Sequence, residues 1–448
     1  MSAVFYRDFG TEYPLAVRGA GMYLFDAGGK RYLDMSGGAA VSPVGHANER
    51  VVAAVREQIS ALAFAHTAFF TNEPQEALAE RLAARFSESG ARVCFLSGGS
   101  EANETAMKLA WQYWLARGQR SKQVVISRQF SYHGSTLGAL SVSGSRFRRT
   151  AFEGVLHDWP RIAPCYAYRH RGPGESEDVY GRRAADALET AILQAGPDNV
   201  AAFIAEPVVG ATLGAVPAVP GYLRRIRDIC DQYEVLFIAD EIMCGAGRTG
   251  TYFAHTTDDV VPDLVTLAKG IGGGYQPLGA VLMRRAIAEG IEGGGAFASG
   301  HTYIGHATAC AAGLAVQQCL DEDGLLDRVT PLGEAFRNAL RERIGKHPLV
   351  GDIRGRGLFV GVELVADRAE RTPIPAGARV PSRLKAAAME NGLICYPGGG
   401  TSNGVDGAHV LFAPPFVLQQ SHIDECCERF AAALDSVSET IAPTRATA

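Results

Sequence analysis

From about residue 90 the chain alternates short apolar runs with stretches of helical period. Residues 92–96 read as a strand, and 101–116 as a helix with Ala102, Ala106, Leu109, Tyr113 and Trp114 facing inward. Further apolar runs at 123–126, 200–205, 235–239, 264–267 and 280–283 predict strands, with helices over 182–195 and 221–234 between them. Such alternation predicts a mostly parallel sheet covered by helices on both faces. Ligands of these sheets sit beyond the carboxyl ends of the strands. Upstream, Asn48 caps a helix to about Leu62, with Val51, Val55, Ile59 and Leu62 on one face. A second helix follows Asn72, burying Leu78, Leu82 and Phe86. The stretch 35–39 reads as flexible and 166–180 as a surface excursion. After a helix near 306–320 the pattern changes. One long helix over 325–344 and strands at 352–363, 393–396 and 410–412 predict a second, smaller domain.

Composition narrows the classes. The 448 residues are 47% apolar and 20% charged, enough for a sizeable core and two or three domains. The net charge, 43 − 48 = −5, makes neither nucleic acid nor an anionic membrane an expected partner. No apolar run is long enough to span a bilayer, and Met1–Asp8 lacks a basic-then-apolar signal. Nine cysteines without a Cys-x-x-Cys pair predict reduced core thiols of a cytoplasmic protein. The 52 glycines cluster in short runs, as expected where backbone closely approaches a ligand.

The residues just past the strands carry the chemistry. Lys269 ends the run 264–268 with no acidic neighbour in sequence, so partial desolvation makes its amine a nucleophile; a surface lysine closing a strand is the plain alternative. Glycines at 98 and 99 lead into a helix with Ser100 as its expected N-cap, a site for phosphate or simply a common cap. Tyr132, beside His133 and Gly134, either stacks on a planar ring or packs a wall. Glu206 places a carboxylate in the same layer. Asp240 ends another apolar run and needs a partner, either a protonated pyridine nitrogen or a structural arginine such as Arg248. An aldehyde trap, an electron-sink partner, a ring platform and a phosphate anchor on consecutive strand ends are what pyridoxal 5'-phosphate requires. No metal is expected.

The chain resembles the class III (omega, subgroup III) pyridoxal-phosphate aminotransferases from about Asp26 to Phe416. The matching words are Ser97-Gly-Gly-Ser-Glu-Ala-Asn-Glu-Thr-Ala-Met-Lys108, Tyr132-His-Gly134, Ala205-Glu-Pro207, Asp240-Glu-Ile-Met-Cys-Gly-Ala-Gly-Arg-Thr-Gly250, Leu267-Ala-Lys-Gly-Ile-Gly-Gly-Gly-Tyr-Gln-Pro-Leu-Gly-Ala280 and His301-Thr-Tyr-Ile-Gly-His306, in the family's order. The resemblance implies an α/β fold of type I. Its large domain, with a mostly parallel seven-stranded sheet, would span 63–322. The smaller α/β domain would come from both chain ends, 1–62 and 323–448. It implies that Lys269 anchors the cofactor and shuttles a proton, and that Asp240 pairs with the ring nitrogen. Ile242 and Tyr132 cover the ring faces, and Gly99 and Ser100 hold the phosphate. Thr302 reaches the cofactor of a neighbouring subunit, which implies a homodimer or tetramer with a shared site. His133 and Glu206 belong to the cofactor layer, His133 in a structural role, and Arg248 supports the loop after Asp240.

Departures from the family point to the substrate. Members using ornithine or 4-aminobutyrate carry an arginine after Tyr-His-Gly, where this chain has Ser135. They carry another three residues before Pro-Pro, where it has Leu411, and no arginine lies in residues 395–414. The family's partner for that second arginine is the carboxylate at Glu206, which here faces the substrate, another cation, or backbone and water. With Cys244, these changes resemble the branch that uses amines or β-amino acids with pyruvate. The expected reaction moves an amino group from an omega-amine or (β-)amino acid to a small keto acid. An aminomutase, racemase or decarboxylase on the same fold, a 2-oxoglutarate-using aminotransferase, and a relative without turnover remain alternatives.

Overall fold

A computed structural model describes residues 3–441, so the first two and the last seven positions of the two terminal segments lie outside it. The alternating region forms one seven-stranded sheet. From edge to edge its strands are Arg92–Leu96, Gly279–Met283, Leu264–Leu267, Leu236–Asp240, Val200–Ala205, Val124–Arg128 and Arg161–Ile162. Gly279–Met283 runs antiparallel to both its neighbours, and the other six strands are parallel. The two-residue edge strand Arg161–Ile162 is too short to give a sequence signal.

The four central strands are buried at every position, which is why they read as continuous apolar runs and not as alternating ones. Phe203, Phe237 and Val265 pack on one face with Leu188 and Ile226 of the helices Glu177–Ala195 and Tyr222–Gln232. Ile204, Ile238 and Val281 pack on the other with Leu109 and Ile287, from the helices Gly99–Ala116 and Arg285–Glu292. Parallel strands held in this way place six carboxyl ends along one edge.

The remaining sheets differ from the sequence reading in instructive ways. Residues 352–363 are not one strand. They fall in a hairpin, Val350–Arg356 against Phe359–Asp367, turning at Gly357 with φ +55°. Residues 393–396 are divided: Leu393–Ile394 pairs parallel with the N-terminal strand Arg31–Asp34, whereas Tyr396–Gly399 pairs with Ala408–Phe412. The stretch 35–39 is not flexible. Met35 is buried, and Asp34 Oδ1 accepts from Ser36 N, Ser36 Oγ and Gly37 N. The excursion 166–180 is exposed over most of 170–179, as expected, but its two ends, Tyr166 and Tyr180, are buried. The Tyr166 hydroxyl donates to Glu363, which also pairs with Arg169 at 2.7 Å and Arg354 at 2.7 Å. On the helix Glu49–Ala61 the predicted inward face holds at Val51, whereas Ile59 is exposed. The helix Leu325–Ile344 has the predicted ends. No helix among the described residues is long and apolar enough to cross a membrane. All nine cysteines are unpaired.

Candidate active site

Five strand ends converge on one cavity of about 130 Å³. It is lined by Gly99, Ser100, Tyr132, His133, Gly134, Glu206, Asp240, Ile242, Met243 and Lys269. Eight of the predicted site residues therefore meet in one place. Ser135, Thr302 and Leu411 do not line it. Ser135 is exposed beside it, with Oγ 2.9 Å from the Tyr132 hydroxyl. Thr302 is exposed. Leu411 is buried one layer back, in a cluster with Met243 and Cys244.

Asp240 ends its strand with both oxygens committed. Oδ2 accepts from Asn103 Nδ2 at 2.8 Å and from His133 Nδ1 at 2.7 Å, and Oδ1 from the amide of Ile242 at 3.1 Å. Asn103 also donates to the His133 carbonyl, so one amide fixes acid and histidine together. Asn103 was not predicted. Its signal was a polar residue between Ala102 and Ala106 on the inward face of its helix. Arg248 is not the partner of Asp240. It donates to the carbonyls of Leu358 and Pro414 and lies over the Phe416 ring at 4.5 Å, bracing the loop after Asp240 against the C-terminal sheet.

Lys269 opens a single 3₁₀ turn just past its strand, with φ +46°, a left-handed conformation that is unusual for a side chain with a Cβ. Burial lowers its pKa; the nearby acids Asp240 and Glu206 oppose this and Arg148 adds to it. Among the described residues its amine makes no hydrogen bond or ion pair. Glu206 accepts from the amides of Tyr132 at 3.1 Å and Gly210 at 2.9 Å. Of the options its sequence left open, backbone bonding is the one observed. Burial raises the Glu206 pKa, and the neighbouring Asp240 charge adds to the rise.

At the phosphate end the predicted N-cap is displaced by two residues. Gly98 is the N-cap of Gly99–Ala116, Glu101 accepts from Ser97 N at 2.9 Å, and the Ser100 hydroxyl accepts from Ser135 N at 3.0 Å. A Cβ on Gly99 would lie 2.9 Å from Ile242, and one on Gly134 2.6 Å from Ser100 Oγ and 2.8 Å from its Cα. The backbone here thus approaches as only glycine allows, leaving helix N-terminal amides beside the cavity.

The sequence pattern of the class-III aminotransferases matches residues 9–434. The chain belongs to that family. An uncharacterized aminotransferase of Schizosaccharomyces pombe is 41% identical over 435 residues, covering 97% of this chain and 95% of that protein. A chloroplastic gamma-aminobutyrate transaminase of Solanum lycopersicum is 34% identical, covering 96% and 82%. The omega transaminase of Pseudomonas jessenii, solved with PMP, superposes with a TM-score of 0.90 at 33% identity, covering 96% and 94%. This class-III aminotransferase is a fold-type-I transaminase dependent on pyridoxal 5'-phosphate. Its residues fit that cofactor: an unpartnered lysine amine, a carboxylate pinned from behind by three donors, and a glycine-lined helix start suited to an anion.

Gly134→Ala tests the cradle. With φ +142° and a methyl against the Ser100 backbone, it is expected to cost roughly 1–3 kcal/mol of stability. It should also weaken cofactor retention on dialysis. A variant with unchanged melting and full cofactor content would show that the cradle tolerates a side chain.

Proposed function

We propose that this aminotransferase moves an amino group from an omega-amine or (β-)amino acid to a small keto acid, pyruvate, both substrates using the Lys269 cavity in turn. The observation that carries the reading is the Lys269 amine, half-buried at a strand end, unpartnered and depressed in pKa by burial, in one cavity with the fixed carboxylate of Asp240. When bound, pyridoxal phosphate supplies the carbon that takes up the amino group and the ring that draws off electrons. Lys269 would hold the aldehyde end, and its Nζ would move a proton to and from the substrate carbon. Asp240 pairs with the ring nitrogen, kept in place by His133 and Asn103. Ile242 and Tyr132 would cover the ring, and Gly99 and Ser100 would hold the phosphate.

Pyruvate is favoured as acceptor because Ser135 and Leu411 leave no pair of arginines for a dicarboxylate. The enzyme works as a homodimer or tetramer in the cytoplasm. Thr302, exposed and outside its own cavity, contributes to the partner's, and exposed apolar side chains such as Phe69, Phe70 and Tyr303 are covered on association. The nine unpaired thiols suit a reducing compartment.

Visible absorption of the cofactor-loaded enzyme tests the reaction. Single amines added without an acceptor are expected to bleach the yellow form, and pyruvate to restore it. A yellow form that persists while an amino acid racemises or loses carbon dioxide would overturn transamination. Restoration by 2-oxoglutarate but not pyruvate would overturn the acceptor. Light scattering of the same sample is expected to give two or four chains, and an active monomer would remove the shared site.

A further inference from the structure

A keto acid brings a carboxylate into the cavity, and a carboxylate leaving water needs a cation or several donors. The expected positions supply no cation, since Ser135 is a hydroxyl and Leu411 is buried hydrocarbon. A cation from another part of the chain, Arg148, does not line the cavity but lies against a residue that does. It lies in the short helix Arg146–Arg149, with its guanidinium carbon 4.4 Å from the centroid of the Tyr132 ring, which lines the Lys269 cavity. Arg148 is half-buried, yet among the described residues its guanidinium donates to no carboxylate and no carbonyl. Its neighbour Arg149 is the opposite case, spent on the carbonyls of Leu140, Ser141 and Ser143.

Arg148 itself lines a second cavity of about 640 Å³, together with Arg146, Arg379, Tyr396 and Val405. Neither Arg146 nor Arg379 makes an ion pair among the described residues. Tyr132 thus lines one hollow and Arg148 the other, with the guanidinium seated over the ring and its N–H groups unspent. Such a group is preorganised for bidentate binding of a carboxylate. Its charge is also felt at the Lys269 amine.

We propose that Arg148, oriented by the Tyr132 ring, binds the carboxylate of the keto-acid acceptor and of the amino acid formed from it. This rests on the transaminase reading above. It assigns the selection of acids over plain carbonyl compounds to a residue outside the positions at which related enzymes carry their arginines.

The test compares pyruvate with propanal, which has the same carbon count and no carboxylate, as acceptors for enzyme already bleached by one amine. In Arg148→Met the ratio of kcat/KM for pyruvate to that for propanal is expected to fall by about 10- to 100-fold, the usual worth of hydrogen bonds to a charged group. Arg148→Lys, which keeps the charge and loses the fork, should fall between. Propionate is expected to perturb the cofactor absorption of wild type at far lower concentration than that of Arg148→Met. A ratio within about twofold of wild type in Arg148→Met, or equal propionate titrations, would overturn the assignment. Should the methionine variant not fold, Arg148→Lys decides by the same ratio. Failure of the transaminase reading is seen separately, as wild type that no amine bleaches.

Discussion

Lys269→Ala is expected to lose about 10⁴-fold or more of the transamination rate. Anchoring of the cofactor and proton transfer would be lost together, and proton transfer alone is worth about 10²–10⁴-fold. The loss should be chemical and not structural. Burial holds the Lys269 pKa below its ordinary 10.5. Between the folded value and 10.5 the unfolded chain binds more protons, so stability rises as pH climbs through that window. The penalty is complete below the window. Deleting the amine removes it, and cofactor-free Lys269→Ala should melt no lower than wild type at pH 7. The positive φ gives no offsetting loss, because alanine carries the same Cβ into the same conformation. Ethylamine added to the loaded variant is expected to restore part of the rate, since the missing group is a small base with room to enter. A variant that keeps more than about a tenth of the wild-type rate would remove Lys269 from the proton-transfer role.

Much of this site was legible because parallel strands, buried on both faces, write themselves as uninterrupted apolar runs. The first polar residue after such a run is then conspicuous. Lys269, Asp240 and Glu206 were found in that way, and their convergence followed from the sheet alone. What stayed hidden depends on contacts between distant segments or on residues that carry no signal. Asn103 and Asp240 are 137 positions apart, and only the folded sheet brings the amide under the acid. The N-cap was misplaced because Gly98, extended at φ 178°, has no side chain to announce it, whereas Ser100 looks like a cap and serves instead as acceptor for Ser135 N. The anchoring of the excursion 166–180 at Tyr166 and Arg169 has no sign in the sequence, because their common partner, Glu363, is 197 positions from Tyr166. The hairpin at 350–367 did have a mark, the paired Gly355 and Gly357, which an apolar-run reading passes over. Arg148 has none: a basic residue among Arg146, Arg148 and Arg149 reads as a solvated cluster until the ring of Tyr132 is placed beneath it.

Asp240→Asn is expected to be the second most damaging change, for a reason contained in its own hydrogen bonds. All three groups that hold the side chain are donors: Asn103 Nδ2, His133 Nδ1–H and the Ile242 amide. Asparagine has one acceptor oxygen and one NH₂, so either of its two orientations sets that NH₂ against a donor. Leaving such buried groups unmatched costs about 1–3 kcal/mol of stability. On the proposed role the variant also loses the negative charge opposite the ring nitrogen. Removing a preorganised charge partner from a buried site typically costs about 10²–10³-fold in kcat. The two effects separate by measurement. Denaturant unfolding of the cofactor-free protein reads the first, and the rate of bleaching at saturating amine reads the second. Asn103→Ala supplies the internal comparison: it removes one donor and keeps the charge, so it should share much of the instability and little of the rate loss. Equal rate losses in both variants would mean that the carboxylate acts by shaping the cavity, and the electrostatic role given to Asp240 would be withdrawn.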